Sequence, residues 1–327
     1  MHVLVTGGGG FIGRHLVQSQ LSKGHQVRVI DLDIRSLSPF AGHQHLEASI
    51  GDLTRGETGK RAVDGIDVVY HLASAHLDVR LTDDAYRRVN VDATVTLLEA
   101  ARASSVRRFV HCSSIGVYGH QVIPPALDEN SPCRPTHIYE VSKLEGERAV
   151  LGFFRRTGFP VTVVRPSWVY GPGCPRTRKL LRTVAKGRFV IFGSGRTFRH
   201  PIYVADAVRG LERCAREDAP AGEIYILAGR SPVTIEALVL VAGEVQGVRP
   251  TIIHLPAMLG TCAGYALQMV YKPLHRVPPF SARSMDFFLK HNLYDTGKAE
   301  RELGFQAEVS LRDGLRLTVA QAQSDRS

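Results

Sequence analysis

Val3-Leu4-Val5-Thr6-Gly7-Gly8-Gly9-Gly10-Phe11-Ile12-Gly13 opens the chain and decides how the rest is read. A short apolar run ends in a glycine loop. A helix-forming segment follows over residues 13–23, with Gly24 after it. Gly7, Gly10 and Gly13 have the spacing G-x-x-G-x-x-G. The first glycine permits a tight turn, the second lets backbone approach a pyrophosphate, and the third lets helix and strand pack closely. The pyrophosphate then meets free N–H groups at the positive end of a helix. Gly7, Gly10, Phe11, Ile12 and Gly13 are therefore expected to contact a bound dinucleotide.

The next apolar run, residues 26–31, ends on a carboxylate. Asp31, 18 residues after Gly13, is placed to accept hydrogen bonds from adenosine ribose hydroxyls and to repel a 2′-phosphate, which favours NAD over NADP. Arg35 is counted with the cofactor site, because a guanidinium there could pair with such a phosphate. Further strand-like runs at 68–72, 108–112 and 161–164 alternate with helical periodicity over 86–103 and 139–157. Such repeats predict an α/β fold, a doubly wound parallel sheet of the Rossmann type with right-handed crossovers. After Pro166 the pattern loosens. The expected organisation is a nucleotide-binding domain over 1–170, rejoined by about 200–230, and a smaller, interleaved C-terminal substrate domain over 171–199 and 231–327.

With 327 residues, 44% hydrophobic and 22% charged, the chain has the composition of a globular protein, which excludes disorder, collagen and coiled coil. No uninterrupted apolar run reaches the ~18 residues of a membrane span. The nearest, residues 255–271, is broken by Pro256, Gly260, Gly264 and Gln268 and reads as a buried helix or the wall of an apolar pocket. Because strand and glycine loop start at once, a signal peptide is not expected. The net charge is +10, but the basic residues are scattered and only 8 of 41 are lysine. Nucleic acid is thus not an expected partner, whereas small anionic ligands are. Five cysteines without a Cys-x-x-Cys pair predict reduced thiols, a cytoplasmic location and no metal site.

Tyr139-Glu140-Val141-Ser142-Lys143 places a phenol and an ammonium on one helix face. A lysine there is expected to lower the tyrosine pKa from its ordinary value of about 10. Tyr139 would then exchange a proton with a substrate hydroxyl. Ser113 and Ser114 follow the run at 108–112, at the strand end where open parallel sheets bind ligands.

With these motifs in order, the chain resembles the extended short-chain dehydrogenase/reductase superfamily, in its NAD-dependent epimerase/dehydratase branch, and is UDP-glucose 4-epimerase-like. The resemblance also takes in Gly51-Asp52-Leu53, His71-Leu72-Ala73-Ser74, Asn90-Val91, Ser113 to Gly119, Arg165-Pro166, His200 to Asp206 and Asp295 to Ala299. It implies NAD as cofactor and Ser114, rather than Ser113, beside Tyr139 and Lys143 as the catalytic set. It implies Asp52 and Leu53 on adenine, and Leu72, Ala73, Ser74, Asn90 and Ser167 along the cofactor. Arg199 and Arg283 match a pair that binds a diphosphate, a task suited to guanidinium forks. Trp168 would stack on a substrate ring or fill the domain junction.

Some positions depart from the pattern. Ile115 and Gly116 stand where dehydratases carry Asp-Glu, which argues against dehydration. Trp168 stands where many sugar-nucleotide enzymes have Asn, and residues 165–173 are also similar to hydroxysteroid-dehydrogenase-like and dihydroflavonol-reductase-like relatives. The leading expectation is an NAD-dependent nucleotide-sugar 4-epimerase working through a keto-sugar intermediate. The alternative is an NAD(P)-dependent 3β-hydroxysteroid-dehydrogenase-like or dihydroflavonol-reductase-like oxidoreductase on a hydrophobic alcohol or ketone. A silent dinucleotide sensor is disfavoured by the intact Ser114, Tyr139 and Lys143. The resemblance further implies a homodimer pairing helices 86–103 and 139–157.

Overall fold

The computed structural model describes residues 1–76, 81–119, 126–271 and 280–324. Strands β1 (His2–Thr6), β2 (Gln26–Asp31), β3 (Leu46–Ile50), β4 (Val68–His71), β5 (Arg108–Cys112) and β6 (Val161–Pro166) join a late strand, Glu223–Leu227, in one sheet. The spatial order is β3-β2-β1-β4-β5-β6 and then Glu223–Leu227, and every pairing is parallel. Strand order reverses between β1 and β4, so a crevice opens above their C-terminal ends.

Side-chain alternation builds both layers. Val3 and Val5 of β1 face one cluster, with Leu16 and Val17 of helix α1 (Phe11–Ser22). Leu4 faces the other, with Leu97, Leu98 and Val150. Helices cover both faces, so the central strands read as continuous apolar runs rather than as alternating ones. The sequence reading lacked β3, an edge strand whose residues are only partly covered and whose Ile50 is exposed. Such a strand has little hydrophobic signature.

The expected helix at 86–103 is three pieces. Asp83–Arg87 and Ala93–Ala103 are α-helical, and Arg88–Asp92 between them is a π-turn. The wider turn brings Asn90 into the interior. Its freed carbonyl accepts from Thr94 Oγ1 at 3.0 Å. Such insertions recur beside functional sites. Opposite it, Gly146 lets the helix Ile138–Thr157 pass over that backbone, since a Cβ there would lie 2.5 Å from the Asn90 oxygen.

β6 ends in a buried ion pair. Arg165 and Glu147 are both almost fully covered, and Arg165 Nη2 lies 2.7 Å from Glu147 Oε2. Beyond β6 the chain forms short two-stranded pairs, among them Arg188–Phe192 with Thr251–Leu255. The expectation of a buried helix or pocket wall at 255–271 is corrected here. Ala257–Tyr271 is a helix, but only Gly260 and Gly264 are buried, and its large apolar side chains face outward. The two glycines point inward, which leaves the exposed side for Met258, Leu259, Tyr265, Met269 and Val270. Among the described residues no helix is long and apolar enough to cross a membrane.

Candidate active site

The turn after β1 sets the geometry. Gly7 has φ +72°, and a Cβ on it would meet the Ala73 backbone nitrogen at 2.6 Å. A Cβ on Gly13 would meet the Gly7 oxygen at 2.1 Å. Both positions therefore require glycine. Helix α1 starts after Gly10 without a side-chain cap, which leaves its first N–H groups directed out of the helix end.

A cavity of about 940 Å³ runs from this turn across the sheet. It is lined by Gly7, Gly10, Phe11, Ile12, Gly13, Asp31, Asp52, Leu53, Leu72, Ala73 and Ser74 at one end. Ser114, Tyr139, Lys143, Ser167 and Trp168 line the other. Asp31 Oδ2 accepts from the Gly9 N–H at 2.8 Å, which ties the second strand to the glycine loop. The Asp52 carboxylate is held by the Thr54 N–H and hydroxyl, at 2.9 and 2.8 Å.

Three expected contacts have other positions. Asn90 is buried outside the lining, and its amide is fully engaged. It accepts from Ser74 Oγ and Ala75 N–H at 3.0 and 2.9 Å and donates to Ala75 O and Ser142 Oγ at 3.2 and 2.9 Å. Asn90 thus clamps the Ser74 loop to the catalytic helix. Arg35 turns away onto Asp33, with its side chain almost fully exposed. Asp33 is the nearer and stronger partner for the guanidinium.

Arg199 is buried against the segment 286–290 instead of lining the cavity. Its guanidinium donates to the carbonyls of Phe198, Asp286, Phe287 and Lys290 and lies 5.0 Å above the Phe287 ring. Burial pulls its pKa down to about 10. It cross-links two segments, so the expected diphosphate contact is corrected for this arginine. The Arg283 side chain lies outside the described residues.

At the reacting end, Ser113 and Ser114 diverge. The Ser113 hydroxyl donates to Glu147 Oε1 and is buried. The Ser114 hydroxyl hydrogen-bonds Tyr139 and accepts from the Gly116 N–H at 3.0 Å. Lys143 Nζ donates to the Cys112 carbonyl at 2.6 Å, and burial lowers its pKa. Tyr139 does not have the lowered pKa expected from the sequence. Burial pushes it up to about 12, against the opposing pull of the Ser114 hydrogen bond. Lys143 directs its ammonium at the Cys112 carbonyl.

Removing the Ser114 hydroxyl removes a group that lowers the phenol pKa. Ser114→Ala is therefore expected to move the acidic, ascending limb of alcohol oxidation to higher pH, because oxidation needs the phenolate. Turnover should also fall about 10²-fold through loss of one donor to the reacting oxygen. A pH–rate profile checks this, and an unmoved limb would separate Ser114 from the proton transfer.

A buried histidine supports the same end. His71 bridges Thr6 Oγ1 and Thr94 Oγ1 through its two nitrogens, at 2.7 and 2.9 Å. Burial and then the nearby Lys143 charge hold its pKa at about 3, so the ring is neutral. Thr94 already donates to Asn90 O, so His71 carries its proton on Nε2 and accepts on Nδ1.

The sequence reading missed His76, Arg176 and Asn292, which also line the cavity. His76 meets the Tyr139 ring edge-on at 4.8 Å. It lies two residues past Ser74, the end of the His71–Ser74 stretch, which was the available signal. Trp168 packs edge-on against Phe287 at 6.1 Å, so it both lines the cavity and touches the C-terminal segment.

The family model of the NAD dependent epimerase/dehydratase family matches residues 3–228. The chain is 30% identical over 322 residues to a 4-hydroxy-2-methyl-3-oxo-4-farnesyl-3,4-dihydroquinoline-1-oxide ketoreductase of Stigmatella aurantiaca, covering 96% of this chain and 95% of that one. It is 27% identical over 325 residues to an N-acetyl-alpha-D-glucosaminyl-diphospho-ditrans,octacis-undecaprenol 4-epimerase of Escherichia coli O157:H7, covering 97% and 94%. The solved structure of MoeE5 in complex with UDP-glucose and NAD superposes with a TM-score of 0.79 at 28% identity, covering all of both chains.

Proposed function

The chain belongs to the NAD-dependent epimerase/dehydratase family, and on that premise we propose that it exchanges a hydride between NAD and a secondary alcohol carbon of a largely apolar substrate, as a dehydrogenase or ketoreductase. It is an enzyme, and its cofactor is NAD. The residues fit that cofactor. The glycine turn leaves no room for side chains, the α1 end presents bare N–H groups, and Ser167 Oγ is a buried hydroxyl without a partner beside the cavity. The turn and α1 would hold the pyrophosphate, Asp31 the ribose hydroxyls, Asp52 and Leu53 the adenine, and Leu72 to Ser74 and Lys143 the remainder. When bound, NAD accepts or supplies the hydride.

The proton belongs to Tyr139. In reduction the protonated phenol gives its proton to the carbonyl oxygen, and its high pKa keeps it protonated at neutral pH. In oxidation it takes the proton back. Ser114, bonded to the same phenol, positions the reacting oxygen.

The observation that carries the apolar reading is the engagement of Arg199 by four carbonyls, away from the cavity, while the indole of Trp168, backed by Phe287, lines it. The Stigmatella relative, a ketoreductase of a farnesylated quinoline oxide by its name, agrees with this. A second reading is the nucleotide-sugar 4-epimerase. Arg176, which lines the cavity near Tyr139, and the likeness to MoeE5 with UDP-glucose favour it.

Cofactor stoichiometry separates the two. With NADH and a panel of apolar ketones, net oxidation of NADH in proportion to product is expected. UDP-glucose incubated with NAD should return unchanged. Conversion of UDP-glucose to its 4-epimer without net NADH would replace the first reading by the second.

A further inference from the structure

We propose that the helix Ala257–Tyr271, with the strand pair that leads into it, docks on the surface of an anionic lipid bilayer. The helix is turned inside out relative to a normal surface helix. Gly260 faces the protein so closely that a Cβ would meet Met285 Sδ at 2.5 Å and Phe192 at 2.7 Å. Met258 and Met269 are each 72% exposed, and Leu259, Tyr265 and Val270 are exposed with them. Residues 257–271 contain no charged side chain. Exposed apolar surface of this extent marks an interaction site.

The face continues onto the preceding strands. Val190 and Ile253 are register partners in the pair Arg188–Phe192 with Thr251–Leu255, and both are exposed. Helix and strands therefore present one apolar surface, joined through Leu255 and Pro256.

The charge around this surface identifies the occupant. Residues 245–285 contain no Asp or Glu. Arg188, within the strand pair, and Arg196, four residues beyond its first strand, are exposed. The carboxylates nearby are Glu236, within 4.0 Å of His254 Nε2, and Asp286, 2.9 Å from Lys290 Nζ. An apolar strip rimmed by cations suits acyl chains below anionic headgroups. Two copies of the face would instead bring like charges together. A helix of 15 residues rises only about 22 Å, which is too short to span a bilayer, so it lies on the surface.

Aromatic contacts run from this helix to the cavity. Phe192 touches Phe288, Phe288 touches Phe287, and Phe287 touches Trp168, at 5.5, 5.2 and 6.1 Å between ring centres. Docking would thus place the substrate end of the cavity beside the membrane. The docking itself does not depend on which substrate is turned over.

The test uses the full chain and vesicles of phosphatidylglycerol with phosphatidylcholine. The wild type should co-sediment with them, less so as salt is raised and less so with phosphatidylcholine alone. M258E/M269E alters two outward side chains and should fold normally, as circular dichroism checks. Its bound fraction should fall about tenfold or more. An environment-sensitive dye on Cys262, which is exposed while Cys112, Cys174 and Cys214 are buried, should shift to the blue on binding. A wild type that stays in the supernatant, or a variant that binds equally, overturns the proposal. So does a concentration-dependent dimer of the wild type that the variant lacks, since a second copy would then cover the face.

Discussion

Tyr139→Phe is expected to lower kcat about 10²–10⁴-fold while leaving NAD binding intact, as read by steady-state rates and a nucleotide titration. The replacement keeps the ring that His76 touches and removes only the hydroxyl bonded to Ser114. The neighbouring groups cannot easily substitute. Lys143 holds its proton on the Cys112 carbonyl, and Ser113 is bound to Glu147. His76 is the ring placed to compete, but it meets Tyr139 edge-on. If the variant kept turnover within tenfold, His76 would take over the proton transfer in this account, and the assignment of Tyr139 would fall.

The second large effect concerns stability. Glu147→Leu is expected to lower the free energy of unfolding by about 3–5 kcal/mol, because it leaves the Arg165 guanidinium charged and buried without its partner. That guanidinium makes three contacts with Glu147, at 3.0, 3.2 and 2.7 Å, and one with Tyr118 Oη at 2.8 Å. The double variant R165M/E147L should be more stable than the single one, since no buried charge then remains. Ser113 Oγ would still lack its partner, whereas Tyr118 keeps its bond to the Asp128 carbonyl at 2.7 Å, so recovery should be incomplete. Chemical denaturation of all three proteins measures this. A single variant within about 1 kcal/mol of wild type would mean that water reaches the pair.

This ion pair also explains why the catalytic groups sit where they do. Glu147 lies one helical turn after Lys143 and binds Ser113, the neighbour of Ser114. The helix Ile138–Thr157 is thereby tied to the ends of β5 and β6. Glu147 lies in no motif of the sequence, and Arg165 entered only through the Arg165-Pro166 pair of the resemblance. The functional role of Ser114 could be expected from its place beside a strand end, whereas the structural role of Ser113 needed the opposing carboxylate.

Most strands and helices of the first 165 residues, the glycine turn and the Tyr139–Lys143 spacing were legible from local periodicity or a nearby steric demand, whereas β3 and the helix Gly56–Ala62 were not. The turn at Gly7–Gly13 is the clearest case, since Gly10 and Gly13 are crowded by Gly7 itself, although Gly7 also meets the Ala73 backbone far along the chain. What needed the tertiary structure depended on partners far along the chain. Arg199 is held by carbonyls some 90 residues later, Asn90 by Ser142, and the phenol of Tyr139 by burial that no spacing reveals. The apolar stretch at 257–271 reads like a core helix, and only the inward placement of its glycines turned its large side chains outward. Local sequence sets which backbone a segment can adopt, but a side chain's charge, exposure and hydrogen-bond partners depend on what the fold packs beside it.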